Sequence, residues 1–195
     1  IHIAAISYIR RQEGTPIESL PEKVNHLEMS NCSMVELSII SLTECDISKN
    51  KFKMLSLNET LKKVESLNLS GNLITQIDPT SPIILLTSLD ISQNLVSEIS
   101  DRLGKFLPIL KYFNLSRNKI SFLQSRLLPE SLIKLDISNN AITTIVEDIL
   151  GRLTKFNVLT VQGKHFFCNC DLHWFVNTYI HRPNLRKSKM QLSTR

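Results

Sequence analysis

The feature that most constrains this chain is a pattern, LxxLxLxxNxL, that returns along most of its length. It reads VESLNLSGNLI from Val64, LTSLDISQNLV from Leu86, LKYFNLSRNKI from Leu110 and LIKLDISNNAI from Leu132. Weaker copies are VNHLEMSNCSM from Val24, LTECDISKNKF from Leu42 and FNVLTVQGKHF from Phe156. Successive starts are 18, 22, 22, 24, 22 and 24 residues apart. A fixed period of this size is the signature of stacked units, each too small to bury its own apolar face.

The centre of each copy alternates apolar and polar residues, which predicts a short strand. Leu67 and Leu69, Leu89 and Ile91, Phe113 and Leu115, and Leu135 and Ile137 then point to one side. Strands this short must stack in parallel to share a core. The chain's return path needs partners for its own backbone groups. Asn50, Asn72, Asn94, Asn118 and Asn140 fall at the one position able to supply them, because an inward amide both donates and accepts. Ile77, Ile99, Ile145 and Phe106 are expected to fill the convex side of the core. Helical periodicity is poor there, so loops and short 3₁₀ or single helical turns are expected. Leu20-Pro21 and Leu128-Pro129 suit an extended approach to the next strand.

Charge is informative once located. The net +5 belongs to the segment from Lys164 onward, with six basic residues against Asp171, while the first 163 residues carry 17 basic and 17 acidic side chains. A nucleic-acid reader would spread a basic stripe over its working surface. No apolar run approaches the roughly 20 residues of a transmembrane helix, and the opening IHIAAISYIRRQEG has its basic pair after the apolar run, the wrong order for a signal peptide.

Residues 165–180, HFFCNCDLHWFVNTYI, differ in kind from the repeats. Phe166, Cys168, Cys170, Leu172, Trp174 and Phe175 resemble the C-terminal cap of extracellular leucine-rich-repeat proteins, with Asp171 placed to cap a helix. The cap and the repeats together resemble the C-terminal third of Toll-like receptor ectodomains. The resemblance implies an α/β fold: a right-handed leucine-rich-repeat solenoid with a parallel sheet on its concave face, a convex side of 3₁₀ turns and loops, and a small C-terminal cap with one helix. It divides the chain into a truncated leading repeat (1–23), the repeats (24–163) and an incomplete cap (164–195). It also implies that Cys168 and Cys170 pair with cysteines beyond Arg195, since the two are too close to bridge each other without strain. A capped CxC pair implies an oxidising compartment.

Membership further implies the extracellular face of a single-pass receptor, at the cell surface or in an endosomal lumen. Such a receptor takes a microbial ligand, bound mainly upstream of this segment, and signals by ligand-driven pairing with a second receptor chain, as homo- or heterodimer. The membrane would be reached only through a transmembrane helix outside this sequence. Repeats of uniform 24-residue length would instead favour an adhesion or matrix leucine-rich-repeat protein, or a variable lymphocyte receptor.

Cys32 falls at the asparagine position and Cys45 at the inward position that Leu67 holds, so both read as buried free thiols. Asn31, Asn58, Asn68 and Asn114 each begin an N-x-S/T glycosylation triplet. Asn58 is the one expected on the return path, whereas Asn68 and Asn114 arise because the repeat itself supplies a serine. No convergent catalytic set is present, so no enzyme and no cofactor is expected. His165 and His173 flank the CxC pair, but the cap accounts for those cysteines without zinc. The serine column Ser30, Ser48, Ser70, Ser92, Ser116 and Ser138 is read as small and outward-facing, with no histidine to activate it. The outward column Glu28, Asp46, Asn68, Asp90, Asn114, Asp136 and Thr160 is polar and mildly acidic, which disfavours nucleic acid. Tyr112, Arg117 and Arg126 are the candidates for a flank that meets a second chain.

Overall fold

In the computed structural model, the structure describes residues 26–28, 43–54, 57–144, 152–153, 155–162, 173, 177 and 190–191. The leading segment 1–23, Asn31, Cys32, Ile145, His165, Cys168, Cys170, Trp174 and Phe175 lie outside them, so the expectations for those residues do too.

Each copy of the motif opens on a short strand. They are β1 (His26–Glu28), β2 (Glu44–Asp46), β3 (Ser66–Asn68), β5 (Ser88–Asp90), β7 (Tyr112–Asn114), β8 (Lys134–Asp136) and β9 (Val158–Gln162). All pair in parallel and in sequence order, and β10 (Met190–Gln191) adds to β9 at the end of the sheet. The register is uniform: Cys45, Leu67, Leu89, Phe113, Leu135 and Leu159 stand opposite one another across the sheet. Since a one-residue slip would turn every inward side chain to solvent, the apolar alternation enforces that register. A second inward row, Ile47, Leu69, Ile91, Leu115, Ile137 and Val161, is equally buried.

The return path closes the core from the other side. Phe52, Ile74, Val96, Ile120 and Ile142 follow the asparagines and are buried. Further round lie 3₁₀ turns at Glu59–Leu61 and Ser125–Leu127 and the single helical turn α1 (Leu103–Phe106). A second parallel pair, β4 (Gln76–Ile77) with β6 (Glu98–Ile99), was not anticipated from the sequence. Its partners are 22 residues apart, the same offset as the motif starts Val64 and Leu86, so the two return paths are still in step at this point. Ile77 is fully buried, while Ile99 and Phe106 are only half-buried at the convex rim. Gly104 allows α1 to lie against the neighbouring 3₁₀ turn, since a Cβ there would stand 2.9 Å from the Leu128 carbonyl oxygen.

Lys49, Gly71, Gln93, Arg117 and Asn139 each precede a ladder asparagine and have left-handed backbone, with φ of 54°, 69°, 56°, 55° and 55°. Glycine and asparagine accept this conformation readily, but Lys49, Gln93 and Arg117 do not, at roughly 1–2 kcal/mol each. The turn is held because four of these amides donate to the following repeat: Lys49 to Ser70 O, Gly71 to Ser92 O, Gln93 to Ser116 O and Arg117 to Ser138 O, at 2.7–2.9 Å.

Candidate binding surface

The ladder asparagines bond between repeats. Asn72, Asn94, Asn118 and Asn140 are buried, and each Nδ2 donates to a carbonyl in the preceding repeat: Ile47, Leu69, Ile91 and Leu115. Each Oδ1 in turn accepts a backbone N–H from that repeat: Phe52, Ile74, Val96 and Ile120, at 2.9–3.1 Å. These amides hold the frame and present nothing to a ligand.

A second ladder lies on the concave face. Asn68 Nδ2 donates to Asp46 Oδ2 at 2.8 Å, and Asn114 Nδ2 donates to Asp90 Oδ2 at 2.9 Å. From Asp46 to Asp136 carboxylate and amide alternate from strand to strand, so along these strands no two carboxylates face each other. The free Oδ1 of each rung accepts the N–H two residues on, at Ser48, Ser70, Ser92, Ser116 and Ser138. This is the turn that a short side chain makes with its own backbone. It also corrects the reading of the serine column as outward-facing: Ser48, Ser92 and Ser138 are buried, and Ser70 and Ser116 half-buried, beneath that turn. The same geometry explains two glycosylation triplets, because the serine following Asn68 or Asn114 is the turn's N–H donor.

The rungs stop at Asp136, whose Oδ1 takes both the N–H and the hydroxyl of Ser138 at 2.9 and 2.6 Å. There the sheet forms a shallow concavity of about 270 Å³, lined by residues that include Asp90, Tyr112, Asn114, Lys134, Asp136, Val158 and Thr160. The Lys134 ammonium sits 5.5 Å from the centre of the exposed Tyr112 ring, a cation–π distance. The three flank candidates do not converge on one element. Tyr112 belongs to the concave strand β7, Arg117 to the left-handed turn that leaves it, and Arg126 to the convex 3₁₀ turn, where its Nε donates to Gln124 Oε1. Asn58 stands half-buried just before the 3₁₀ turn Glu59–Leu61, on the return path. Cys45 is a buried free thiol in the inward row, and burial together with the nearby Asp46 carboxylate pushes it up to about 12.

The rung alternation was missed from the sequence, although Asp46, Asn68, Asp90, Asn114 and Asp136 can be read off at repeat spacing. What it requires is the knowledge that these side chains touch. Among the described residues no group of side chains is arranged to hold a metal ion, and no helix is long and apolar enough to cross a membrane.

A parallel-strand solenoid with an internal asparagine ladder and a polar concave sheet defines a leucine-rich-repeat interaction module. Leucine-rich-repeat family models match residues 63–83, 84–128 and 131–153. Toll-like receptor 2 from Mus musculus is 33% identical over 158 residues, covering 80% of this chain and 20% of the receptor. The Homo sapiens receptor is 34% identical over 159 residues, 80% and 19% respectively. The chain therefore spans about a fifth of the length of these relatives. Among solved structures, the functional domain of InlJ from Listeria monocytogenes superposes with a TM-score of 0.61 at 26% identity, covering 77% of this chain and 32% of that one. An internalin of the same organism gives 0.65 at 20% identity, 87% and 48%, a likeness of fold alone. The chain belongs to the Toll-like receptors, as a leucine-rich-repeat segment of the extracellular ectodomain. Such segments are non-enzymatic receptor modules.

Proposed function

We propose that this segment is the dimer-closing, membrane-proximal end of a single-pass innate immune receptor, and that its microbial ligand binds mainly in repeats upstream. The observation that supports this reading is the concave ladder. Asp46–Asn68 and Asp90–Asn114 satisfy one another across the strands, so the sheet offers a ligand few unpaired polar groups and little apolar area. Binding free energy has to come from surface that is both apolar and accessible, and here that surface lies on the flanks. A ligand held upstream then brings two chains together, and this end approaches its counterpart as a consequence.

In the intact receptor, charge reversal at Arg117 and Arg126 is expected to impair ligand-induced dimerisation while leaving ligand affinity of the monomer nearly unchanged. The opposite pattern would place the ligand site in this segment. The adhesion-protein reading makes a different demand: partner binding by the unpaired chain, with no dimerisation step.

A further inference from the structure

We infer that the concavity at the end of the rungs is a binding site for one neutral sugar ring of a glycan. Its floor is the sheet, and its walls are the two outward columns of β7, β8 and β9. One wall is Tyr112, Lys134 and Val158, and the other is Asn114, Asp136 and Thr160. On β3 and β5 the first column is only Ser66 and Ser88, so the trough begins where Tyr112 rises beside Ser88. The columns stand two residues apart along each strand, about 7 Å, a width that one pyranose ring with its hydroxyls fills. The volume of about 270 Å³ is just below the roughly 300–1,000 Å³ of pockets for drug-sized ligands.

Tyr112 supplies a platform. Its ring is 42% exposed, and its neighbours across the sheet are Lys134 and Ser88. Lys134 reaches over the ring from β8, with its ammonium 5.5 Å from the centre, whereas Ser88 on β5 is too short to cover it. An open aromatic face takes an apolar one, and the C–H face of a sugar ring is apolar with hydroxyls at its rim. The opposite wall offers hydrogen bonds already aimed. Asn114 uses one Nδ2 hydrogen on Asp90 Oδ2 and its Oδ1 on the Ser116 N–H, which leaves a second Nδ2 hydrogen. Asp136 Oδ1 is filled by Ser138, while its Oδ2 and the Thr160 hydroxyl have no partner among the described residues. A donor, an acceptor and a group that is both thus stand in a row. The rung and the turns already hold Asn114 and Asp136, so these two lose little rotamer freedom on binding.

Charge selects the occupant. A cation entering the trough would meet the Lys134 ammonium, and an anion would meet the Asp90 and Asp136 carboxylates. A neutral polyhydroxylated ring meets neither repulsion, since each hydroxyl donates to a carboxylate or accepts from an amide or ammonium.

This site goes beyond the receptor reading, which places the microbial ligand mainly upstream, and is judged separately. Arg117 and Arg126, whose charge reversal tests that reading, do not line the trough. The probes are the methyl glycosides of glucose, mannose and galactose, followed by the amide shifts of the isotope-labelled chain. At least one is expected to bind with millimolar affinity, the range for a single ring in an open site, and to shift Tyr112, Asn114 and Thr160. Tyr112→Ala should weaken it by roughly tenfold or more, while Tyr112→Phe keeps the platform and should bind within about twofold of the parent. Asp136→Asn keeps an Oδ1 acceptor for Ser138 but turns the open acceptor into a donor, and should weaken binding about fivefold. A neutral β-glucan oligomer and a high-mannose glycopeptide then separate the two sources of such a ring, free polysaccharide and protein-linked glycan. Folding of each variant is checked by its thermal transition. Magnetisation transfer from aromatic protons to the ring hydrogens of the bound glycoside reads the stacking on the unaltered chain, where a variant fails to fold. No shift from any of these probes at tens of millimolar, or shifts unchanged by Tyr112→Ala, overturns the inference. Binding of N-acetylarginine methyl ester in preference to every glycoside overturns it too, by assigning the trough to a basic side chain.

Discussion

Asn94 Oδ1 accepts the backbone N–H of Ile74 at 3.0 Å, from a residue one full turn of the solenoid earlier. Its Nδ2 donates to Leu69 O at 3.0 Å in that same turn and to Ile91 O and Ser92 O at 3.1 Å in its own. One buried amide therefore serves two turns. Asn94→Ala would leave the Ile74 N–H without a partner in an apolar interior, whereas the Leu69 carbonyl keeps Asn72 Nδ2 at 2.9 Å. The orphaned N–H costs about 1–3 kcal/mol, and a loss of that size is expected in denaturant unfolding. Asn94→Asp should be about as costly, since it removes the donors and buries a charge. A loss below about 1 kcal/mol for both variants would mean the ladder is not a stability element.

The concave rungs make a prediction about pH. In Asn68→Asp, a carboxyl faces Asp46 Oδ2 at the 2.8 Å now spanned by the amide. Two ionised carboxylates cannot share that distance, so the new group is held protonated and its folded-state pKa lies above its unfolded one. Stabilisation from the protonated form is present at acid pH and is lost as pH rises through the folded-state pKa. The variant should therefore be weaker than the parent by about 1–3 kcal/mol at neutral pH, and the gap should narrow on acidification. Thermal unfolding of both proteins from pH 7 to 4 measures it; a gap independent of pH would show that the two side chains do not face each other.

Gly104 sets two effects against each other. Alanine is the better helix former, worth up to about 1 kcal/mol in a helix interior, but its Cβ would stand 2.9 Å from the Leu128 carbonyl oxygen and 3.2 Å from its carbon. The obstruction is backbone, which cannot swing aside as a side chain would. With only one helical turn to benefit, the clash wins. Gly104→Ala should destabilise by about 1–3 kcal/mol, the usual cost of overpacking. An increase in stability would show that α1 has room to move off the neighbouring turn.

Much of this was legible before any coordinates. The inward rows, the strand register and the buried place of Cys45 follow from a two-residue alternation repeated at fixed spacing, since only one register buries every apolar side chain. The asparagine positions were legible for the same reason. The return path was not, because its apolar residues follow neither a two- nor a 3.6-residue period, and the pairing of Gln76–Ile77 with Glu98–Ile99 comes from return paths that stay in step this far past their strands. On the candidate surface, the alternation of Asp46, Asn68, Asp90 and Asn114 was visible as letters, but its meaning depends on contact between residues 22 and 24 positions apart. That Tyr112, Arg117 and Arg126 sit on a strand, its exit turn and a convex 3₁₀ turn was not legible from their chemistry, because it depends on where the return path bends.

Cys45 offers a test that isolates one buried group. Its thiol sits in the inward row opposite Leu67 and is only 3% exposed. Loss of hydration disfavours the thiolate, and the adjacent Asp46 adds repulsion, so the group rises from 9.0 to about 12. In the unfolded chain the thiol ionises near its ordinary value, while the folded chain keeps it protonated. Above that ordinary value the unfolded state binds fewer protons than the folded one, so stability falls as pH rises. The contribution of Cys45 is thus fully present below about pH 9 and is lost progressively up to about pH 12. Other groups titrate in this range, which is why the measurement is a difference. Parent and Cys45→Ala unfolded in denaturant at pH 7.5 and pH 10.5 should converge by up to about 1.4 kcal/mol for each pH unit above 9. Native Cys45 should likewise resist a maleimide at neutral pH and react once the chain is unfolded, because the nucleophile is the thiolate. A difference between parent and variant that does not change with pH would place the thiol in contact with water, and the inward row would have to be redrawn at that strand.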